Sequence, residues 1–392
     1  MFHRSIKLPK KNSFLLLGAR GTGKTTLLSC QEQLRGARRI DLLVPEEESR
    51  FALNPSELLE IAASMPKGGW IIIDEVQKLP KLLDIVHKAI EECGVNFALT
   101  GSSARKLKRG GANLLAGRAF VLDLFPLTAD EVGADFDLAN ALAWGTLPKV
   151  YDFEEDSDRK RYLNSYVHTY IREEIQIEQL VRNLDPFRLF LQIAAQMNGE
   201  IINYTNIAKD TGVDVKTVQN YFQILVDTHL GTFVNPLDKS VRKVQRQSPK
   251  FYLFDTGVKR ALEQSLTIPL TPRSTAYGNA FETWFVNECH RRISYLENDY
   301  RLSYLRTKDD VEVDLIIQRP GKPVVLIEVK STDIVDNRHI RSLRHFSQDF
   351  PDADLFCISR DPRERVLENV RILPWHKCWP ALGLELVERS VS

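Results

Sequence analysis

The sequence predicts an α/β protein, and three stretches in the first hundred residues predict it. The first is Gly18-Ala19-Arg20-Gly21-Thr22-Gly23-Lys24-Thr25, which follows the apolar run Ser13-Phe14-Leu15-Leu16-Leu17 and leads into Thr26-Leu27-Leu28. The second is Trp70-Ile71-Ile72-Ile73-Asp74-Glu75, a solid apolar run closed by two carboxylates. The third is Asn96-Phe97-Ala98-Leu99-Thr100, continuing as Gly101-Ser102-Ser103. Uninterrupted apolar strands of this kind belong to parallel sheets covered on both faces, whose ligands gather at the carboxyl ends of the strands.

The first stretch fits G-x-x-x-x-G-K-[ST] at a strand-to-helix turn, and each fixed position has a chemical reason. Small residues let backbone N–H groups curl around phosphate oxygens. Lys24 brings a point charge to the β- and γ-phosphates, and Thr25 offers a hydroxyl to Mg²⁺. Thr26 continues into a helix whose positive end faces the nucleotide. Gly18, Ala19, Arg20, Gly21, Thr22, Gly23, Lys24, Thr25 and Thr26 are therefore the candidate ATP-binding residues. Asp74 is placed to hold the Mg²⁺ shell and Glu75 to orient an attacking water. Thr100 is placed to sense the γ-phosphate. ATP and Mg²⁺ are the expected cofactors and ATP hydrolysis the expected reaction.

At 392 residues the chain is long enough for two to four domains. Its formal net charge of +1 excludes a globally basic nucleic-acid binder, so charge has to be sought in local clusters. The five cysteines (Cys30, Cys93, Cys289, Cys357, Cys378) are scattered without a C-x-x-C pair. That pattern predicts reduced thiols in a cytoplasmic protein rather than a disulfide framework or a zinc knuckle. No apolar run approaches a membrane span, so no membrane contact is expected.

Residues 1–127 alternate strand-like and helix-like segments, the pattern of a P-loop α/β domain. Arg105, Lys106, Lys108, Arg109 and Arg118 form an acid-free basic stretch. It is either a solvated loop or the carrier of an arginine finger, Arg118, that reaches a neighbouring subunit's nucleotide in a homo-oligomer. Residues 128–180 read as a helical lid, with Leu142, Trp144, Tyr162, Tyr166, Val167 and Tyr170 inward and an acidic helix start at 152–158. Gly145-Thr146-Leu147-Pro148 is either a plain turn or a lid element. Residues 181–262 read as a winged helix. Helices begin near Pro186 and Asn203, Gly212 makes the turn, and Asp214 caps a third helix displaying Lys216, Gln219, Asn220 and Gln223. Two strands follow near Gly231 and Phe251, with Lys239, Arg242, Lys243, Arg246 and Lys250 between them. This basic wing suits duplex DNA, although winged helices also serve as protein-contact modules.

The second chemical signal lies in 263–392. A helix over 280–288 carries Glu282 near its start. The strands Val311-Glu312-Val313-Asp314-Leu315-Ile316-Ile317 and Val324-Val325-Leu326-Ile327-Glu328-Val329-Lys330 flank a turn at Pro320-Gly321-Lys322-Pro323. Strand alternation puts Glu312 with Asp314 and Glu328 with Lys330 on one face of each strand. Glu282, Asp314 and Glu328 are candidate Mg²⁺ ligands, and Lys330 would assist the water in phosphodiester cleavage. The bland alternative is an edge hairpin with surface ion pairs. Arg338, His339, Arg341, Arg344 and His345 follow as a phosphate-tracking surface.

Aspartate followed fourteen residues later by E-x-K resembles the PD-(D/E)xK nuclease core. The whole chain resembles a prokaryotic family of AAA-type ATPases related to the signal-transducing STAND group. That family joins the ATPase to a winged helix and a restriction-endonuclease-like domain of unassigned function. The likeness rests on residues 18–25, Ile73-Asp74-Glu75-Val76-Gln77, Leu99-Thr100-Gly101-Ser102-Ser103 and Leu115-Ala116-Gly117-Arg118. It continues through Pro249-Lys250-Phe251-Tyr252-Leu253-Phe254-Asp255-Thr256-Gly257, Glu312-Val313-Asp314 and Glu328-Val329-Lys330. It implies the fold and an ATPase; the residues together read as a Mg²⁺-dependent ATPase coupled to a DNA-contacting winged helix and a nuclease-like domain, or alternatively as a nucleotide-dependent switch acting through protein contacts with an inactive nuclease-like domain. It also implies that 145–148 matches a glycine-proline lid motif.

Overall fold

The computed structural model describes residues 2–103, 105, 107, 117–169, 181, 183–237, 248–307, 309 and 311–386. The predicted apolar runs become β1 (Ser13–Leu17), β3 (Trp70–Asp74) and β4 (Asn96–Gly101). They join β2 (Arg38–Asp41) and β5 (Ala119–Asp123) in a wholly parallel sheet of order β2-β3-β4-β1-β5. β1 and β3 are buried at every residue, which is why they carry no polar alternation. Helices α1 (Lys24–Ser29), α2 (Pro45–Leu53), α3 (Glu57–Ser64) and α4 (Leu82–Cys93) cover the sheet. α4 shows how: Leu82, Leu83, Val86 and Ala89 recur at helical spacing and are its buried residues.

Beyond the sheet come α5 (Ala129–Val132), α6 (Leu138–Trp144) and α7 (Asp156–Thr169). Thr128 and Glu131 form a reciprocal capping box at the start of α5. Three further helices follow: α8 (Leu184–Gln196), α9 (Tyr204–Thr211) and α10 (Val215–Asp227), capped by Asn183, Asn203 and Asp214. Gly212 ends α9 in the left-handed conformation that the turn requires. An antiparallel hairpin, β6 (Gly231–Pro236) and β7 (Lys250–Leu253), comes next. After it Asp255 caps α11 (Thr256–Leu262).

The C-terminal part runs α12 (Thr275–Tyr295), β8 (Arg301–Arg306), β9 (Glu312–Gln318), β10 (Val325–Lys330), α13 (Arg341–Phe346), β11 (Asp354–Ser359), β12 (Arg365–Leu367), β13 (Val370–Pro374) and α14 (Trp379–Leu382). β8, β9 and β10 pair antiparallel, and β10 pairs parallel with β11.

The structure departs from the sequence reading in where the units divide. β6 leaves its hairpin and pairs parallel with β8 through Asn235 and Ser303. One eight-stranded sheet therefore runs β12-β13-β11-β10-β9-β8-β6-β7, across the expected boundary at 262 and 263. The expected lid at 128–180 is also divided. Ala129, Leu138, Ala141 and Leu142 pack into the C-terminal core with Phe281, Phe285 and Trp379, whereas Leu163 and Tyr166 pack with α8, α10 and α11. Apolar patterning shows that these helices are amphipathic and not which partner covers them. The helix carrying Glu282 begins at Thr275, so Glu282 lies well inside it. The helix of the expected phosphate-tracking surface spans only Arg341–Phe346, and Arg338 and Arg344 pair with Asp336 and Glu368. Lys106, Lys108, Arg109, Leu115, Ala116, Tyr170 and the wing residues Lys239, Arg242, Lys243 and Arg246 lie outside the described residues.

Gly257 is where two of these segments meet: a Cβ there would lie 2.0 Å from the Trp144 carbonyl oxygen. Gly257→Ala must push α11 from α6 and is expected to destabilise by about 1–3 kcal/mol, read as a lower urea midpoint.

Candidate functional site

The phosphate loop turns from β1 into α1 with Gly21 (φ 79°) and Gly23 (φ 91°) in the left-handed region. Glycine holds this conformation there without the steric cost another residue carries. Lys24 is buried, and its Nζ donates to the carbonyls of Gly18 (2.8 Å) and Ala19 (3.2 Å). Thr22 Oγ1 donates to the Ala19 carbonyl at 2.9 Å. Thr25 Oγ1 donates to Asp74 Oδ2 at 2.7 Å, and Thr100 Oγ1 donates to Asp74 Oδ1. The Glu75 N–H in turn donates to Thr100 Oγ1 at 3.0 Å. Thr25, Asp74, Glu75 and Thr100 thus stand together, because β1, β4 and β3 are adjacent in that order. Glu75 has φ 57°, a conformation that costs a non-glycine residue of order 1–3 kcal/mol and recurs where function holds it. The oxygen donors of Thr25 and Asp74 suit Mg²⁺.

Sequence reasoning gave Gln77 no role. It is buried, donates to the Glu75 carboxylate and to Ser102 Oγ (2.9 Å), and so ties the end of β3 to the polar run after β4. Its only signal was its place two residues after Glu75. The loop is also covered from the helical side. Tyr166 OH donates to the Arg20 carbonyl at 3.0 Å, and Tyr162 OH and Pro148 lie against Gly21 and Gly23. Gly145-Thr146-Leu147-Pro148 therefore sits beside the loop. Thr26 faces solvent on α1. Arg118 is placed elsewhere: it precedes Ala119, which pairs with Ser13 at the end of β1 remote from the loop, and it forms an ion pair with Glu91.

A buried polar frame joins the loop to the C-terminal part. Arg4 donates to the Thr22 carbonyl (2.7 Å), to the Phe125 carbonyl (2.6 Å) and to Tyr295 OH (3.0 Å), and it pairs with Glu131 at 3.1 Å. Arg291 donates to the carbonyls of Leu127 (2.8 Å) and Phe254 (2.7 Å) and to Thr146 Oγ1 (2.9 Å). Glu288 accepts from the Ala129 N–H (2.9 Å) and from Arg292 Nε (3.1 Å). Asp255 accepts from the N–H groups of Thr146 (2.7 Å) and Val258 (3.0 Å). None of these side chains was singled out for a role at the sequence level, since isolated arginines and acids give no periodic signal.

The second cluster forms on the C-terminal sheet. The register pairing Ile327 with Leu315 sets Glu328 opposite Asp314. Asp314 Oδ2 accepts from the Val329 N–H at 2.8 Å, and Lys330 Nζ lies 3.2 Å from Asp314 Oδ2 and 2.5 Å from Glu328 Oε2. That Glu328 oxygen is buried against the Lys330 ammonium. Burial and the neighbouring Asp314 charge push the Glu328 carboxyl well above the usual range. Burial alone would raise Asp314 too, but the Lys330 ammonium and a hydrogen bond from Glu328 hold it low. Burial opposes the charge on Lys330, and the two carboxylates outweigh it and raise its pKa.

Glu282 has hydrogen-bond and ion-pair partners of its own. It accepts from Tyr252 OH at 2.7 Å and lies 3.7 Å from Lys250 Nζ, which also pairs closely with Glu312. Lys250 is thus a buried member of the acidic site rather than a phosphate contact on a wing, because β7 carries it into the C-terminal sheet. Among the described residues no group of three or more His, Cys, Asp or Glu side chains is placed to hold a metal ion. The expected trio of Glu282, Asp314 and Glu328 is not assembled. Two carboxylate oxygens, on Asp314 and Glu328, remain as fitting donors. The face of α10 is partly engaged as well: Arg105 reaches Asn220 Oδ1 (2.5 Å) and Asp227 (3.3 Å), and Gln223 donates to Asp227. Lys216 and Gln219 are exposed.

Residues 10–133 match a family described as an AAA domain. Residues 135–269 and 277–378 match two families described as domains of unknown function, DUF8612 and DUF4143. Uncharacterized proteins of Mycobacterium tuberculosis and Mycobacterium bovis are each 25% identical over 325 residues, covering 81% of this chain and 70% of theirs. One of Methanocaldococcus jannaschii is 21% identical over 410 residues, covering 94% and 89%. Among solved structures, the ORC2 protein of Aeropyrum pernix in its ADP form is 14% identical with a TM-score of 0.32, covering 66% of this chain and 87% of its own. The ORC1 protein of the same organism, in complex with DNA, is 15% identical with a TM-score of 0.22, covering 67% and 87%. Among the described residues no helix is long and apolar enough to cross a membrane.

Burial, and then the charge of Asp314, pushes the Glu282 carboxyl up to about 7 from an ordinary 4.5. In the folded chain it keeps its proton to higher pH than when unfolded. Its contribution to stability is therefore full below pH 4.5 and is lost as pH rises to 7. Glu282→Gln should flatten that slope in denaturation midpoints taken across this window. Separately, Arg4→Met leaves Glu131 buried without its cation and is expected to destabilise by about 3–5 kcal/mol. Adding Glu131→Leu should recover part of the loss in a double-mutant cycle. With its loop, paired carboxylates and parallel sheet in place, the N-terminal region of this chain has the architecture of a P-loop nucleotide-binding domain and is similar over residues 10–133 to the AAA-domain family.

Proposed function

We propose that the chain is a Mg²⁺-dependent ATPase whose nucleotide cycle controls a DNA-contacting winged helix and a nuclease-like C-terminal domain. The observation that carries the reading is the convergence of Asp314, Glu328 and Lys330 on adjacent strands of a chain that also holds a complete phosphate loop. The order helix, three antiparallel strands, helix, parallel strand from α12 to β11 supports the restriction-endonuclease-like part. Three capped helices and a hairpin from α8 to β7 support the winged helix.

In this reading the loop N–H groups and Lys24 would hold the phosphates, and Thr25 and Asp74 would hold Mg²⁺, which would neutralise charge developing on them. Glu75 orients the attacking water while Gln77 fixes its carboxylate. Thr100 bonds both Asp74 and the Glu75 backbone, so a change at the γ-phosphate reaches both acids. At the second site Asp314 and Glu328 would hold a divalent cation, which supplies Lewis acidity and an activated water. Lys330 stabilises the charge that develops on the phosphate. A homo-oligomer would let Arg118 act as a finger on a neighbouring nucleotide once its pair with Glu91 opens.

A second reading, a nucleotide-dependent switch acting through protein contacts, is favoured by two contacts. Lys250 and Lys330 already neutralise the acidic site, and Arg105 holds part of α10 against the ATPase region. Glu75→Gln is expected to keep ATP binding and lower turnover by about 10²–10³-fold. Linear and supercoiled DNA incubated with Mg²⁺ or Mn²⁺, with and without ATP, separates the two readings. Cutting that Glu328→Ala abolishes and that Lys24→Ala makes indifferent to ATP supports the gated nuclease. Intact turnover with no cutting supports the switch.

A further inference from the structure

In the stretch Pro249-Lys250-Phe251-Tyr252-Leu253 the two polar side chains, Lys250 and Tyr252, both end on Glu282. Lys250 and Tyr252 are two apart on β7 and therefore share a face. Phe251 and Leu253, on the opposite face, are buried in the core with α8 and α10, which fixes the register of the strand. Lys250 is only 4% exposed, lies between Glu282 and Glu312, and stands 5.5 Å over the Tyr304 ring. Two lysines thus divide four carboxylates: Lys330 takes Asp314 and Glu328, and Lys250 takes Glu282 and Glu312.

We propose that Lys250 is a positioning residue that withholds Glu282 from a divalent cation at Asp314 and Glu328, so the resting site offers two carboxylates instead of three. This rests on the nuclease-like reading of the acidic site. Oxygen-ligand sites gain affinity with each added carboxylate. Whatever displaces Lys250 therefore converts a weak cation site into a stronger one. Tyr252 holds the same carboxylate from its other side.

The test is Mn²⁺ binding to the full chain without nucleotide, followed by the paramagnetic signal of free Mn²⁺. Asp74→Asn is present in every protein, the reference included, to silence the phosphate-loop carboxylate. Lys250→Met is expected to bind one Mn²⁺ about tenfold more tightly than the reference, while Lys250→Arg binds like it. Lys250→Met with Glu282→Gln should return to within about threefold of the reference. A Lys250→Met protein no tighter than the reference, or tightness that survives Glu282→Gln, overturns the proposal. Should Lys250→Met fail to fold, Tyr252→Phe loosens Glu282 from its other partner, and unchanged Mn²⁺ affinity there is equally fatal. DNA cleavage is scored in parallel on the same variants with Asp74 restored and ATP and Mn²⁺ present. Mn²⁺ binding as expected with no cutting by any variant would sink the nuclease reading and leave the role of Lys250 standing.

Discussion

A buried charge must find a partner or the fold gives way, and along α12 this chain buries Glu288, Arg291 and Arg292 together. Their partners come from every part of the molecule. The carbonyl of Leu127 and the N–H of Ala129 lie just after the parallel sheet, Phe254 follows the hairpin, and Leu384 follows α14. A helix whose charges are satisfied only by those segments fits in one register and one orientation. Apolar packing is tolerant of small shifts. This polar frame is not, since a displaced helix would strand several charges at once.

The frame also relates the two chemical centres. Glu282 and Tyr295 are thirteen residues apart on the same helix, about 20 Å by helical rise. At one end Glu282 meets Tyr252 and Lys250. At the other, Tyr295 accepts from Arg4, which holds the Thr22 carbonyl within the phosphate loop. Arg291 meanwhile fixes Thr146, two residues before the Pro148 that lies against Gly23. A rigid element thus contacts both sites through buried hydrogen bonds, which is the physical continuity that coupling between them requires.

Individual elements were legible because they obey local rules. The phosphate loop, Asp74, Glu75 and Thr100 were readable from spacing, and the structure brings them together through strand order. Asp214 announced its helix as a cap, and strand alternation put Glu312 with Asp314 and Glu328 with Lys330. What was not legible depends on distance in sequence. Lys250 looked like one more base on a wing until the pairing of β6 with β8 carried its strand into the C-terminal sheet. Arg118 looked free to reach a neighbour until strand β5 set it beside Glu91 at the remote end of the sheet.

By itself the sequence determined the local chemistry: a glycine loop that only left-handed backbone can make, apolar strands that only a covered sheet can use, and carboxylates alternating on strands. Those follow from sterics and periodicity within a few residues. Only the tertiary structure decided how four acids are divided between two lysines, which helices share a core, and where the molecule's units join. These depend on which buried charge finds which partner, at separations that run from 16 residues between Lys330 and Asp314 to 291 between Arg4 and Tyr295, and no local pattern encodes that choice.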